Sequence, residues 1–149
     1  MILWRISNYA DLLGIGGMQA SGRWHTAGRP IVYLAENPAS ALLETLVHLE
    51  IDEEHRPDTF QLLKIDAPEG ISSEETSLES LPADWKRDED ITRGIGDEWL
   101  LRSSSALMRV PSVIAPETCN WLLNPRHAEA ASLKIVHVER PLYDSRLFS

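Results

Sequence analysis

Short apolar runs separated by polar or glycine-rich stretches set the rhythm of the chain. Residues 2–6 predict a short strand, although Arg5 interrupts its alternation, and residues 7–22, with glycines at 14, 16, 17 and 22, predict a loop. The β-branched and aromatic run Ile31-Val32-Tyr33-Leu34 predicts a second strand. Asn37 then suits an N-cap and Pro38 a first helical position, opening a helix to about residue 50 whose Leu42, Leu46 and Leu49 form the buried stripe. Residues 60–65 predict a strand closed by a turn at 67–70. The acidic, serine-rich stretch 70–92 reads as short helical pieces or a surface segment, and 93–105 as a helix weakened by Gly94 and Gly96. Beyond it lie strand candidates at 107–110 and 113–115, a turn at Asn124-Pro125, a brief helix over 126–133 and a last strand at 135–139. Several strands around one or two good helices, with no repeat and no long linker, indicate one α+β domain spanning residues 1–149.

Composition agrees with this picture. A chain of 149 residues, 43% hydrophobic and 25% charged, suits a single folded core. Cys119 is the sole cysteine and has no internal disulfide partner, no apolar run approaches membrane-spanning length, and the opening MILWRISNYAD lacks a signal peptide's apolar region. The expectation is a soluble cytoplasmic domain with no membrane association.

The net charge of −9 is unevenly distributed. Residues 1–35 carry +2, residues 36–98 carry −13, and residues 99–149 carry +2. A phosphate backbone would be repelled by the chain as a whole, which argues against direct nucleic-acid binding. A small anion held by the two basic ends remains open, and 11 of the 14 basic residues are arginine, the side chain suited to bidentate phosphate contacts. The acidic middle reads either as a solvated face or as a docking surface for a basic partner segment.

Individual motifs leave alternatives open. Gly14-Ile15-Gly16-Gly17 lacks the spacing of a dinucleotide-binding loop and reads as an ordinary loop. The five histidines show no metal-ligand spacing, no G-x-S-x-G elbow occurs, and Ser112 in its Pro-Ser context reads as a turn hydroxyl. Glu44 lies opposite the Leu42/Leu46/Leu49 stripe, on the side of His48, as part of either a solvated helix face or a cleft wall. Gly22-Arg23-Trp24 beside the Tyr33 strand is either a core tryptophan with a surface arginine, or an arginine grip on phosphate with rings to stack on a base.

Taken together and in order, these segments resemble the RES domain family, named for its Arg, Glu and Ser. The resemblance is carried by WRIS at 4–7, SGRWHTAGRPIVYLAENPASALLETLVHLE at 21–50, VPSVIAPETCNWLLNPRHAEA at 110–130 and YDSRLFS at 143–149. It implies an α+β fold similar to the NAD-binding core of ADP-ribosyltransferases. It also implies the toxin half of a type II toxin–antitoxin pair, neutralised by an Xre-type helix-turn-helix antitoxin that occludes the active site. DNA would then enter through the antitoxin, and a homodimer within the complex is compatible with the resemblance. The implied activity cleaves the nicotinamide–ribose bond of NAD+, used as substrate without a metal, depleting NAD+ and arresting growth. ADP-ribosylation of a protein and a non-catalytic nucleotide- or partner-binding module are the alternatives.

By motif, the family's Arg falls on Arg23, its Tyr on Tyr33, its Glu on Glu44 and its Ser on Ser112, the implied catalytic set. Arg23 and Tyr33, with Arg5, Trp24 and Asn124, are the implied NAD contacts. In these roles Glu44 stabilises positive charge developing at the ribose, and Arg23 and Arg5 hold the pyrophosphate. Tyr33 lies against the nicotinamide, and Ser112 bonds the ribose or the carboxamide.

Overall fold

Seven strands form one mixed sheet in the computed structural model, which describes residues 1–48, 60–140 and 146. In chain order the strands are β1 (Ile2–Ser7), β2 (Val32–Ala35), β3 (Gln61–Asp66), β4 (Ser73–Glu75), β5 (Leu107–Pro111), β6 (Cys119–Leu123) and β7 (Lys134–Glu139). The helices are α1 (Ile15–Gln19), α2 (Pro38–His48) and α3 (Glu89–Arg102). Across the sheet the order is β4-β5-β6-β2-β1-β3-β7, antiparallel except for the parallel β4–β5 pair. The fold is α+β, as the pattern of elements predicts.

Alternation along the strands separates two apolar clusters. Val32, Leu34, Leu107 and Leu123 join Leu3, Leu63 and Ile65 on one face. Met108, Val110 and Leu122, from the intervening positions, join Trp24, Trp85 and Trp99 on the other. Tyr33 and Asn120 follow the second set, because Tyr33 is registered with Leu122, and Asn120 with both Ala35 and Val110. Two sheet faces therefore bury apolar side chains, while residues of β1, β2 and β6 are left to line a cleft beside the second cluster.

Several expected elements differ. The 7–22 loop contains α1, entered through Gly14 at φ 72. A side chain there is strained, and its Cβ would also meet the Ile31 nitrogen at 2.6 Å. The acidic stretch supplies β4 and a 3-10 turn at Leu78–Ser80. Residues 113–115 are not a strand; they lie in the turn joining β5 to β6, closed by bonds from Ser112 N to Thr118 O (2.8 Å) and from Thr118 N to Ala115 O (2.7 Å). Only Ala130–Ser132, as a 3-10 turn, represents the helix expected over 126–133.

In α2 the predicted entry is present: Asn37 Oδ1 accepts from Ser40 N at 2.8 Å and Pro38 opens the helix. The orientation of its faces is not as expected. Ala41 is the buried residue, Leu42 and Leu46 are only half-buried, and Leu43 and Val47 are exposed; Leu49 lies outside the described residues. The helix packs on β1 and β2, and the side carrying Ala41, Glu44 and Thr45 lines the cleft.

Candidate active site

A cavity of about 540 Å³, within the range of small-molecule sites, opens between α1, α2 and the ends of β1, β2 and β6. Its lining includes Arg5, Gly17, Arg23, Tyr33, Glu44 and Asn120. Of the residues singled out from sequence, Arg5, Arg23, Tyr33 and Glu44 thus meet at one cavity, although they come from β1, the loop after α1, β2 and α2.

The Glu44 carboxylate is held from one side. Its Oε1 accepts from Ser112 Oγ at 2.7 Å and from Asn120 Nδ2 at 2.9 Å. Ser112 is buried, and its Oγ also accepts from the backbone nitrogens of Ile114 and Ala115, each at 3.2 Å. A serine hydroxyl has one proton, and here it goes to Glu44. Ser112 is therefore a clamp between the β5–β6 turn and the carboxylate, with its donor in use before any ligand arrives. We expect Ser112→Ala to leave the β5–β6 turn without its hydroxyl acceptor and to let Glu44 swing. Activity at the site should fall about tenfold, mainly in kcat, for the loss of one charge-assisted bond of about 1.5–3 kcal/mol. Steady-state kinetics beside a melting curve separate this from simple unfolding.

Arg23 lies on the loop following α1. Its Nη1 is buried and has no hydrogen-bond partner among the described residues. Desolvated cations are costly unless paired, so an unpartnered guanidinium nitrogen in a cavity wall favours an anion. Arg5 adds a second cation; burial holds its guanidinium below the ordinary value, partly offset by the charge of Asp11. Its side-chain bond is a long one from Nη1 to Asp11 O, at 3.4 Å.

The backbone of the Arg23 loop is fixed from two directions. On the cavity side, His25 Nε2 lies 3.0 Å from Gly17 O, and a carbonyl only accepts, so Nε2 carries the proton. His25 Nδ1 then accepts from Gly22 N (3.2 Å) and from the Tyr33 hydroxyl (2.7 Å), which itself accepts from Trp24 N (3.1 Å). Burial pushes the Tyr33 phenol well above its ordinary value, outweighing the opposing Trp24 N–H bond and Arg93 charge. It stays a protonated donor to His25 and offers the cavity its ring. From the other side α3 grips the same loop. Thr92 Oγ1 donates to Arg23 O (2.6 Å), Arg93 Nε donates to Gly22 O (2.8 Å), and Asp97 accepts from Thr26 N (2.8 Å) and Thr26 Oγ1 (2.6 Å). Several carboxylates of the acidic middle are tied into the fold: Asp97 holds the loop, Glu74 accepts from Ser104, Ser105 and Arg102, and Glu75 pairs with Arg109.

Two expected contacts lie elsewhere. Trp24 is 3% exposed and packs against Trp85, with ring centroids 6.3 Å apart, so its ring is core and only its backbone serves the site. Asn124 lies outside the cavity lining; its Nδ2 bonds Ser103 Oγ (3.2 Å) and its Oδ1 caps Arg126 N (3.0 Å), which fixes the turn after β6. Conversely, His25 and Asn120 escaped the reading of motifs. Both stand inside the segments quoted for the family, one directly after Arg23-Trp24 and one before Trp121-Leu122, and that adjacency was the available signal.

Comparison with known proteins adds an independent finding. The RES domain family model matches residues 2–144. Toxin Res of Pseudomonas putida is 52% identical over 148 residues, covering 99% of this chain and 100% of that protein. The Prs ADP-ribosylating toxin of Sphingobium is 36% identical over 154 residues, covering 97% of this chain and 94% of that protein. The crystal structure of the M. tuberculosis MbcT–MbcA toxin–antitoxin complex contains a chain with the same fold, at a TM-score of 0.74 and 15% identity, covering 99% of this chain and 86% of that one.

Proposed function

The chain belongs to the RES domain family, and from that premise we propose that it is the toxin of a toxin–antitoxin pair, an enzyme that binds NAD+ and cleaves its nicotinamide–ribose bond. The observation that carries the reading is one cavity holding a buried Arg23 nitrogen with no partner among the described residues, together with a Glu44 carboxylate clamped at Oε1.

Each part suits one feature of the dinucleotide. Arg23 and Arg5, which line the same cavity, offer charge-assisted bonds to the pyrophosphate. The Tyr33 ring offers a face to the cationic nicotinamide, an interaction of about 0.5–2 kcal/mol. As the glycosidic bond lengthens, positive charge spreads over the anomeric carbon and the ring oxygen. Glu44 Oε2, which neither Ser112 nor Asn120 contacts, is a fixed negative charge for that state, stabilising it more than the ground state. Nicotinamide leaves with the bonding pair and becomes neutral, and the ADP-ribosyl cation is captured by a nucleophile.

The name of the Sphingobium relative favours a second reading in which that nucleophile belongs to a protein. Both readings share the first step and differ in the acceptor. The partner is an antitoxin of the Xre helix-turn-helix type covering the cavity mouth, and the reaction takes place in the cytoplasm.

Induced expression tests the reading. Growth should stop as the NAD+ pool falls, and co-expression of the antitoxin should preserve both. Growth arrest with a level pool, and label from NAD+ appearing on protein, would replace depletion by transfer. Growth and NAD+ both unaffected by the folded chain would contradict the toxin reading.

A further inference from the structure

The bond to Glu44 accounts for only half of the Asn120 amide. Nδ2 donates to Glu44 Oε1 at 2.9 Å, which sets the orientation of the amide. Its Oδ1 is then a buried acceptor with no hydrogen-bond partner among the described residues, on a side chain that lines the cavity. Buried amide oxygens are nearly always paired, and an exception calls for a specific explanation. The β6 backbone holds Asn120 in register with Ala35 and Val110, so the amide is carried on the sheet and not on a loop.

We propose that Asn120 is a substrate-contacting residue whose Oδ1 accepts a hydrogen bond from a hydroxyl of the nicotinamide-side ribose. The proposal rests on the NAD+ reading and adds to it the group that recognises the sugar. The two ends of one amide are neighbours, so a donor bound at Oδ1 must lie beside Glu44. A vicinal diol supplies two adjacent donors next to the anomeric carbon, one for Glu44 Oε2 and one for Asn120. The nicotinamide ring supplies donors only at its carboxamide, on C3, two ring atoms away from the nitrogen whose bond breaks. Asn120 thereby couples recognition to chemistry: the amide that grips the sugar also sets the carboxylate.

A cycle of variants and substrates tests this apart from any general loss of activity. Nicotinamide release is measured for wild type, Asn120→Ala and Asn120→Asp on NAD+ and on its analogues lacking the 2′- or the 3′-hydroxyl of the nicotinamide-side ribose. Differences in intrinsic reactivity cancel when each analogue's penalty is compared between enzymes. In wild type and in Asn120→Asp, which keeps an acceptor, the penalty for one of the two hydroxyls should stand. In Asn120→Ala that penalty should shrink about tenfold, even though activity on NAD+ is itself lower. Unchanged penalties for both analogues in Asn120→Ala would overturn the contact and leave Asn120 a positioning residue alone. Wild-type protein inert towards NAD+ would instead overturn the underlying reading. Should Asn120→Ala not fold, Asn120→Leu, which is closer in size and likewise has no acceptor, serves in its place, with the same outcomes.

Discussion

Glu44→Gln should lower the rate of nicotinamide release by about 10²–10³, the usual loss when a preorganised electrostatic group facing a transition state is removed, or about 3–4 kcal/mol in barrier. The substitution is close to isosteric. A glutamine Oε1 can still accept from Ser112 Oγ and Asn120 Nδ2, which now converge on Glu44 Oε1, so the clamp and the fold should survive. What changes is the other terminal atom, from a negatively charged oxygen to an amide donor directed at a carbon that is becoming positive. The effect should therefore fall on kcat, with KM within a few-fold of wild type and the melting temperature within a few degrees. A rise in KM with kcat unchanged would place Glu44 in ground-state binding instead.

The second large effect is expected far from the reacting bond. Gly96 sits in α3 against the backbone of Trp24, and a Cβ built there would overlap the Trp24 carbonyl. The obstacle is the backbone of the loop that carries Arg23, itself fixed by Thr92, Arg93 and Asp97. Gly96→Ala should therefore push α3 away from the loop, lowering stability by about 2 kcal/mol, or roughly 5 °C in Tm, despite alanine's better helix propensity. Affinity for NAD+ should fall by at least about tenfold as Arg23 moves. Gly94→Ala two residues away is the control. A Cβ there meets nothing within 4 Å, and the same chemical change should stabilise by about 0.5–1 kcal/mol. Differential scanning calorimetry and a binding isotherm on the two variants check both expectations.

These two residues also mark how far the sequence could be read. Helical periodicity put Glu44 opposite Leu42 and Leu46, but it could not say which side faces the protein. The side with Ala41, Glu44 and Thr45 turns inward because β1, β2 and the β5–β6 turn offer it partners, and Leu43 and Val47 are left exposed. Periodicity carries no information about such partners. The glycines of α3 looked like helix weakeners, yet one lies open to space and the other is the contact that lets the helix approach the Arg23 loop. That contact is long-range, and no local rule reveals it.

Strands were legible where β-branched and aliphatic residues run together, as in β1, β2, β3, β5 and β7. β6 was not, because Cys119 and Asn120 open it with polar character, while the apolar Val113-Ile114-Ala115 nearby lies in a turn held by Ser112 and Thr118. The candidate site was legible mainly through family resemblance, which supplied Arg23, Tyr33, Glu44 and Ser112 together. That Ser112 supports Glu44 from outside the cavity lining, while His25 lines the cavity and braces the Arg23 loop, needed the three-dimensional hydrogen-bond pattern.

The uneven charge takes on a physical meaning. Arg5 and Arg23 come from the basic first segment and meet Glu44 from the acidic one at the same cavity. An acidic protein can thus present local positive charge to a dianionic pyrophosphate, since the field inside a cleft is set by nearby groups more than by net charge.

The most direct test of the central claim is a time course of free nicotinamide from NAD+ incubated with the purified chain, separated from any antitoxin. The account predicts steady nicotinamide release by wild type and release about 10²–10³ slower by folded Glu44→Gln. NAD+ left intact by folded wild-type protein, or equal release by the two proteins, would contradict it.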